Sequence, residues 1–146
     1  MAMPAGTYYV GDLCYVMEKE WDAVLRHIID TASSRLIEGE FILDDRRRFA
    51  LYSTKWGDGQ YGSNIGATFG VDAGIIGVIR IDDILGLDRA SVRANVERLG
   101  AVVEFKTCFD HAGATYDSMG GRNRWDGVIR FGDVEIYTDP QDNYND

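Results

Sequence analysis

The sequence has few of the residue types that build metal-bound or covalently linked sites. Only two cysteines, Cys14 and Cys108, occur in 146 residues, and the two histidines, His27 and His111, do not cluster with them. This spacing excludes a zinc finger and a CxxC redox motif. Because free cysteines usually lie in the interior, we expect two buried apolar thiols. A disulfide is the alternative only in an oxidising compartment.

Long apolar runs are also lacking. The longest one, residues 74–79, is far shorter than the roughly 20 residues that a membrane-spanning helix requires. Residues 1–6 contain neither the basic nor the apolar region of a signal peptide. We therefore expect a soluble, cytoplasmic protein that makes no contact with membranes.

Positive charge is scarce as well. The chain has 15 Lys and Arg residues and 24 Asp and Glu residues, which gives a net charge of −9. Such a field repels polyanions, so non-specific binding of DNA or RNA is unfavourable. The length and the 45% content of hydrophobic residues predict a single domain over residues 1–146. The acidic segment 139–146 is expected to be a frayed tail.

The hydrophobic spacing predicts a mixed fold. An apolar stripe from Trp21 through Ile28 and Ile29 predicts an amphipathic helix over 18–33. A short second helix is predicted from Asp88 or Ser91 to Leu99, with Asp88 as the candidate cap. Strand-forming segments are 7–10, 40–43, 48–54, 67–71, 75–81, 101–109, 127–131 and 134–137. Short connections favour antiparallel pairing. We expect an α+β fold, in which the amphipathic helix packs on a bent antiparallel sheet or small barrel and the second helix is short; a β-sandwich with peripheral helices is the alternative.

A glycine-dense stretch, residues 57–66, is the first candidate binding element. Glycine lets the main chain approach a ligand closely, and Trp56 and Tyr61 offer flat rings on which a base could stack. Together with Lys55 and Asp58, these residues form the predicted ligand site. The stretch matches neither GxxxxGK(S/T) nor GxGxxG. The alternative is a hairpin loop whose aromatic rings fill the end of a barrel.

A second candidate binding element contains Arg122 and Arg124 beside Trp125. Two guanidinium groups and a stacking ring suit a small phosphorylated or nucleotide-like ligand. The alternative is a mobile surface loop within 110–126, in which His111 is expected to be exposed. The other cationic run, residues 46–48, follows two aspartates and is typical of a solvated hairpin tip; the alternative is a phosphate-binding role, because guanidinium groups suit phosphate.

Three acidic residues beside turns are candidate metal ligands. Asp12, Asp58 and Asp72 follow or separate predicted strands, and carboxylate oxygens suit Mg²⁺ or Ca²⁺. Their spacing matches no calcium loop, and Asp beside Gly is also common turn chemistry. With two histidines and no GxSxG elbow, a hydrolase triad has little support. We assign no catalytic residue and no cofactor.

The segment 6–16, GTYYVGDLCYV, resembles the start of an uncharacterised family found in bacteria and their phages. Residues 57–61, GDGQY, and 69–78, FGVDAGIIGV, are similar to its later signature, and the resemblance covers residues 6–85 and the closing strands. No activity is attached to the family, so no site residue follows from it. The resemblance implies a small accessory protein, in the host cytoplasm if phage-encoded, and raises the prospect of a role in phage–host conflict.

Three functions remain open. The first is a non-enzymatic protein that sequesters a small nucleotide-like ligand as an anti-defence protein. The second is an acidic, protein-binding inhibitor of a host enzyme, because a charge of −9 steers towards basic partners. The third is a metal-dependent hydrolase that uses the three aspartates. The sequence favours binding over catalysis, and exposed aromatic residues would be compatible with a homo-oligomer.

Overall fold

The structure is a computed structural model. It describes residues 2–31, 38–54, 57–72, 74–113, 116–117, 123–124 and 127–138. The strands are β1 (Ala2–Met3), β2 (Gly6–Gly11), β3 (Gly39–Ile42), β4 (Arg48–Ser53), β5 (Gly59–Ser63), β6 (Phe69–Val71), β7 (Ile75–Arg80), β8 (Ala101–Phe105), β9 (Phe109–Ala112), β10 (Tyr116–Asp117), β11 (Asn123–Arg124), β12 (Val128–Phe131) and β13 (Val134–Tyr137). The α-helices are α1 (Cys14–Met17), α2 (Trp21–Thr31) and α3 (Ala90–Arg98), and Glu18–Glu20 and Ile81–Asp83 form 3₁₀ turns.

The strands form two antiparallel sheets. One has five strands in the order β3-β4-β7-β2-β8, and the other has six in the order β1-β9-β12-β13-β5-β6. Strands β10 and β11 pair with each other as a separate ribbon. The predicted α+β fold with helices packed on a sheet is therefore confirmed. Among the described strands neither sheet closes into a barrel, so the strands make two sheets and not a small barrel.

The five-stranded sheet is the middle layer of the molecule. Tyr8 and Val10 of β2 lie in the core between the two sheets, whereas Tyr9 lies in a second core together with Val24 and Ile28 of α2. Successive side chains of a strand point to opposite faces. A sheet covered on both faces needs nearly continuous apolar strands, which explains the runs at 49–52 and 75–79. The arrangement is the one expected of a β-sandwich with peripheral helices.

Strand β9 runs across the strands of the five-stranded sheet. Phe109 packs edge-on against Tyr8 of β2, and two residues later His111 contacts Tyr52 of β4. The predicted single strand 101–109 is in fact two strands in different sheets, joined by residues 106–108. The rings of Phe105 and Phe109 stack with centroids 3.8 Å apart where the chain passes from one sheet to the other.

The helices differ from the prediction mainly at their ends. The first three residues of the predicted helix 18–33 form a 3₁₀ turn, and α2 starts at Trp21. The short helix α1 that precedes this turn was not predicted. Ile29 of the predicted stripe is 57% exposed, so the buried face of α2 is narrower than expected. Helix α3 forms where predicted, but its N-cap residue is Arg89 and not Asp88. None of the described helices is long and apolar enough to cross a membrane.

Candidate functional site

The glycine-dense stretch is a strand and a tight loop. Residues 59–63 form β5, which pairs with β6 and β13. Tyr61 is buried in the core between the sheets, and its hydroxyl donates a hydrogen bond to the carbonyl of Gly57 over 2.8 Å. A buried ring offers no face to a ligand. Tyr61 instead fills space in the core, as the alternative of a hairpin loop with interior aromatic rings predicts. Asp58 is exposed.

The other predicted ligand residues cannot be compared with this geometry. Lys55, Trp56 and Arg122 lie outside the described residues. Arg124 belongs to β11, which pairs with β10, but its side chain lies outside the described part. The predicted convergence of two cationic, aromatic loops therefore stays a prediction. The acidic segment 139–146 also lies outside the described residues.

Two of the three candidate metal ligands, Asp12 and Asp72, are joined at one end of the five-stranded sheet. Asp12 is fully buried; one carboxylate oxygen accepts from the Cys14 amide at 3.0 Å, and the other accepts from the Asp72 amide at 2.8 Å. Asp58 lies near Gly74 in the same neighbourhood. The contact of Asp12 with an amide two residues later is turn chemistry. In the described part of the chain, no three His, Cys, Asp or Glu residues are grouped to hold a metal ion.

Two partly buried side chains in this neighbourhood have raised pKa values. Burial, followed by a hydrogen bond with Asp12 and the field of the carboxylates, raises the pKa of the Cys14 thiol well above its usual range. Burial and a hydrogen bond with Asp72 likewise raise the pKa of the Tyr15 hydroxyl. Both groups keep their protons at neutral pH, and a protonated thiol or phenol is a poor nucleophile.

A chain of polar side chains connects the two sheets. The Tyr52 hydroxyl bonds to Nδ1 of His111, and Nε2 of His111 lies 3.3 Å from Oε1 of Glu40. Burial raises the pKa of Tyr52 to about 12, so the phenol keeps its proton and donates to Nδ1. This assignment, made from the hydrogen-bond network, puts the imidazole proton on Nε2, which donates to Glu40. Arg48 pairs with the other oxygen of Glu40.

This polar chain, Tyr52–His111–Glu40, has the order of groups found in a nucleophilic triad. However, Tyr52 is 9% exposed, and the side chains of His111 and Glu40 are 6% and 7% exposed. A substrate needs access to a nucleophile, so the chain serves as a polar link that closes one edge of the sandwich. The sequence prediction of an exposed loop histidine at His111 is wrong, because β9 places its ring between the sheets.

Two further sequence predictions about side chains are wrong. Cys108 is exposed and Cys14 is only partly buried, so the expected pair of buried thiols does not form. Residues 46–48 are not uniformly solvated: the guanidinium of Arg47 bonds to Glu20 at 2.8 Å and to Asp45 at 2.8 Å. Arg47 thereby links the β3–β4 turn to the 3₁₀ turn Glu18–Glu20 that precedes α2.

One concave surface of the described residues is a cleft between the two sheets, which we call the β8–β9 cleft. It is lined by residues 103–105 at the end of β8, the connection 106–108, residues 109–110 of β9 and the β12–β13 turn at 132–134. Its volume of about 590 Å³ lies in the range of sites for small ligands. Gly132 forms the turn with a φ of +58°, a conformation that favours glycine.

The β8–β9 cleft is acidic. Glu104, Asp110 and Asp133 are exposed, and none of them forms an ion pair with the described part of the chain. Lys106 is the one cation among the described lining residues. Sequence reasoning missed this site because its members come from three separate segments, and only the alternation of β8 and the glycine turn hinted at their positions.

Comparison of the chain with protein-family models, with curated proteins and with solved structures returns no match. The resemblance to a bacterial and phage family therefore stays a prediction.

Proposed function

We propose that this chain is a non-enzymatic binding protein and that the β8–β9 cleft holds a cationic group of its ligand. The carrying observation is the charge of the cleft, whose described lining contains three carboxylates, Glu104, Asp110 and Asp133, and one cation, Lys106. Carboxylates in a concave surface concentrate cations and steer their approach. The net charge of −9 adds a field of the same sign.

Two observations support binding over catalysis. The Cys14 and Tyr15 side chains have raised pKa values, so neither is prepared as a nucleophile. The Tyr52–His111–Glu40 chain is buried between the sheets, and none of its three residues lines the β8–β9 cleft. Sequestration or inhibition requires affinity alone, and both can be performed by an acidic cleft.

The charge supports the acidic-inhibitor version of the sequence hypotheses. A basic surface, such as that of a nucleic-acid-binding host enzyme, is complementary to this cleft. The hypothesis of a nucleotide-like ligand depends on Lys55, Trp56, Arg122 and Arg124, whose side chains lie outside the described part of the chain, so it stays a prediction. The β8–β9 cleft does not suit such a ligand, because its carboxylates would repel a phosphate. The anti-defence role and the host cytoplasm rest on the family resemblance and stay predictions as well.

Calorimetric titration with spermine and with a panel of cyclic and linear nucleotides tests the proposal. The cleft variant combines Glu104→Gln, Asp110→Asn and Asp133→Asn. Its matched control combines Asp30→Asn, Asp88→Asn and Glu97→Gln, which remove equal charge from exposed positions outside the cleft. We expect spermine to bind the natural protein and the control alike, and to bind the cleft variant about tenfold more weakly.

Two results would count against the proposal. Equal binding of spermine by the cleft variant and its control would assign the affinity to general charge and not to the cleft. Binding of a nucleotide without any binding of spermine would favour the predicted nucleotide site around residues 55–61 and 122–124.

A further inference from the structure

The β8–β9 cleft adjoins a free strand edge. Strand β8 pairs with β2 along its whole length, from Gly6 opposite Phe105 to Val10 opposite Ala101. It is the last strand of the five-stranded sheet, and no described strand pairs with its outer side. An edge strand presents alternate N–H and C=O groups outwards, which is a template for one more strand.

The side chains of β8 divide between two faces. Val103 packs against the core between the sheets and Phe105 is buried in it, whereas Val102 is 53% exposed on the opposite face and Glu104 is also exposed. An antiparallel strand laid along β8 would continue this alternation. Half of its side chains would then face the β8–β9 cleft, towards Asp110 and Asp133, and half would lie beside Val102 and Glu104.

We infer that the occupant of this edge is an extended, lysine- or arginine-rich segment of a partner protein, which adds to β8 as a sixth strand. This inference rests on the proposed function, because it takes the β8–β9 cleft as a site for cations. Main-chain hydrogen bonds to β8 supply affinity that does not depend on sequence. Cationic side chains on one face of the added strand would lie near Asp110 and Asp133, and those on the other face would lie near Glu104, so both faces favour a basic segment.

Charge argues against a second copy of this chain as the occupant. Pairing of β8 with its own copy would bring the same acidic residues of both molecules, including Glu104, to one interface. Like charges placed opposite each other across paired strands are destabilising. Each copy also carries a net charge of −9, which opposes association at low salt. A basic partner meets the opposite condition at the same edge.

The test compares synthetic peptides that differ only in hydrogen-bonding capacity or charge. The first is a short peptide of alternating lysine and valine. The second and third have the same sequence with alternate amides N-methylated in one or the other register, which keeps the charge but removes half of the donors. The fourth replaces every lysine by glutamate. Affinities are measured by calorimetry, and hydrogen exchange is followed at residues 101–105.

Strand addition predicts a specific pattern. The lysine–valine peptide should bind and should slow hydrogen exchange in β8. One of the two N-methylated peptides should bind about tenfold more weakly than the parent lysine–valine peptide, and the glutamate peptide should not bind. The cleft variant with Glu104→Gln, Asp110→Asn and Asp133→Asn should bind the lysine–valine peptide more weakly than the natural protein does. The control with Asp30→Asn, Asp88→Asn and Glu97→Gln should bind it with unchanged affinity.

The outcomes separate this inference from the proposed function. If both N-methylated peptides bind as well as the parent and spermine also binds, strand addition is wrong while the cation-binding cleft remains. If neither spermine nor any peptide binds, the proposed function fails together with the inference. Equal binding of the glutamate peptide, or a free protein that is already a dimer with β8 protected, also overturns the inference.

Discussion

Gly77 is held at its position by the close approach of β4. A Cβ added there would clash with the carbonyl oxygen of Ala50. It would also lie 2.9 Å from Cβ of Leu51 and 3.0 Å from a methyl group of Leu13. The first two atoms belong to, or are attached directly to, the paired backbone and cannot rotate away. We expect Gly77→Ala to lower the free energy of unfolding by roughly 1–3 kcal/mol, measured by urea denaturation.

Gly62 supplies the matched control for that substitution. It also lies in a strand, β5, but a Cβ added there has no atom within 4 Å. Gly62→Ala should change the free energy of unfolding by less than about 0.5 kcal/mol. Equal losses for the two variants would contradict the crowding argument and would indicate a general requirement for glycine in strands.

The two thiols should differ sharply in reactivity. Cys108 is exposed at the β8–β9 cleft, whereas burial and a hydrogen bond with Asp12 raise the pKa of Cys14. Because the thiolate is the reactive form, we expect one thiol to react rapidly with Ellman's reagent in the folded protein and the other only slowly. Cys108→Ser should abolish the fast phase, and Cys14→Ser should abolish the slow one. Equal rates for both thiols would contradict this assignment.

At the scale of elements, β3 depends on one ionised side chain. Glu40 joins β3 to Arg48 of β4 and His111 of β9. Burial alone would raise the pKa of Glu40, but hydrogen bonds from Arg48 and His111 outweigh it and lower the pKa below the ordinary value of 4.5. The carboxylate therefore stabilises the fold above about pH 4.5, and this stabilisation is lost as the pH falls through the lowered pKa.

We expect Glu40→Gln to lower the free energy of unfolding at neutral pH by about 1–3 kcal/mol and to flatten its decline below pH 4.5. Glu97→Gln on α3 removes the same charge from an exposed position and should change neither value appreciably. Denaturation at a series of pH values measures both variants. A Glu40→Gln protein with the same pH dependence as the natural chain would rule out this link.

The elements show what local sequence could and could not predict. Helix α3 and the β12–β13 hairpin formed where expected, because their spacing and turn residues are local signals. Strand β5 was missed because Gly59 and Gly62 carry no strand signal. His111 was misplaced because its partners, Tyr52 and Glu40, are 59 and 71 residues away, and no nearby residue specifies a contact at that distance.

At the scale of the whole molecule, acidic charge opposes folding while it favours the proposed binding. A net charge of −9 repels itself more strongly in the compact state than in the unfolded chain. Glu104, Asp110 and Asp133 add to this repulsion without forming ion pairs in the described part of the chain. Residues that cost stability and face a cleft are expected where function requires them.

This trade-off predicts opposite changes in stability and in binding. Raising the salt concentration to about 0.3 M screens the repulsion, so the Tm of the natural protein should rise by roughly 2–4 °C. The Glu104→Gln, Asp110→Asn, Asp133→Asn variant should start from a higher Tm and respond less to salt, while it binds spermine more weakly. Calorimetric scans at low and high salt measure the first effect. A variant that loses both stability and affinity would contradict this trade-off. It would mean that the three carboxylates stabilise the fold and do not destabilise it by repulsion.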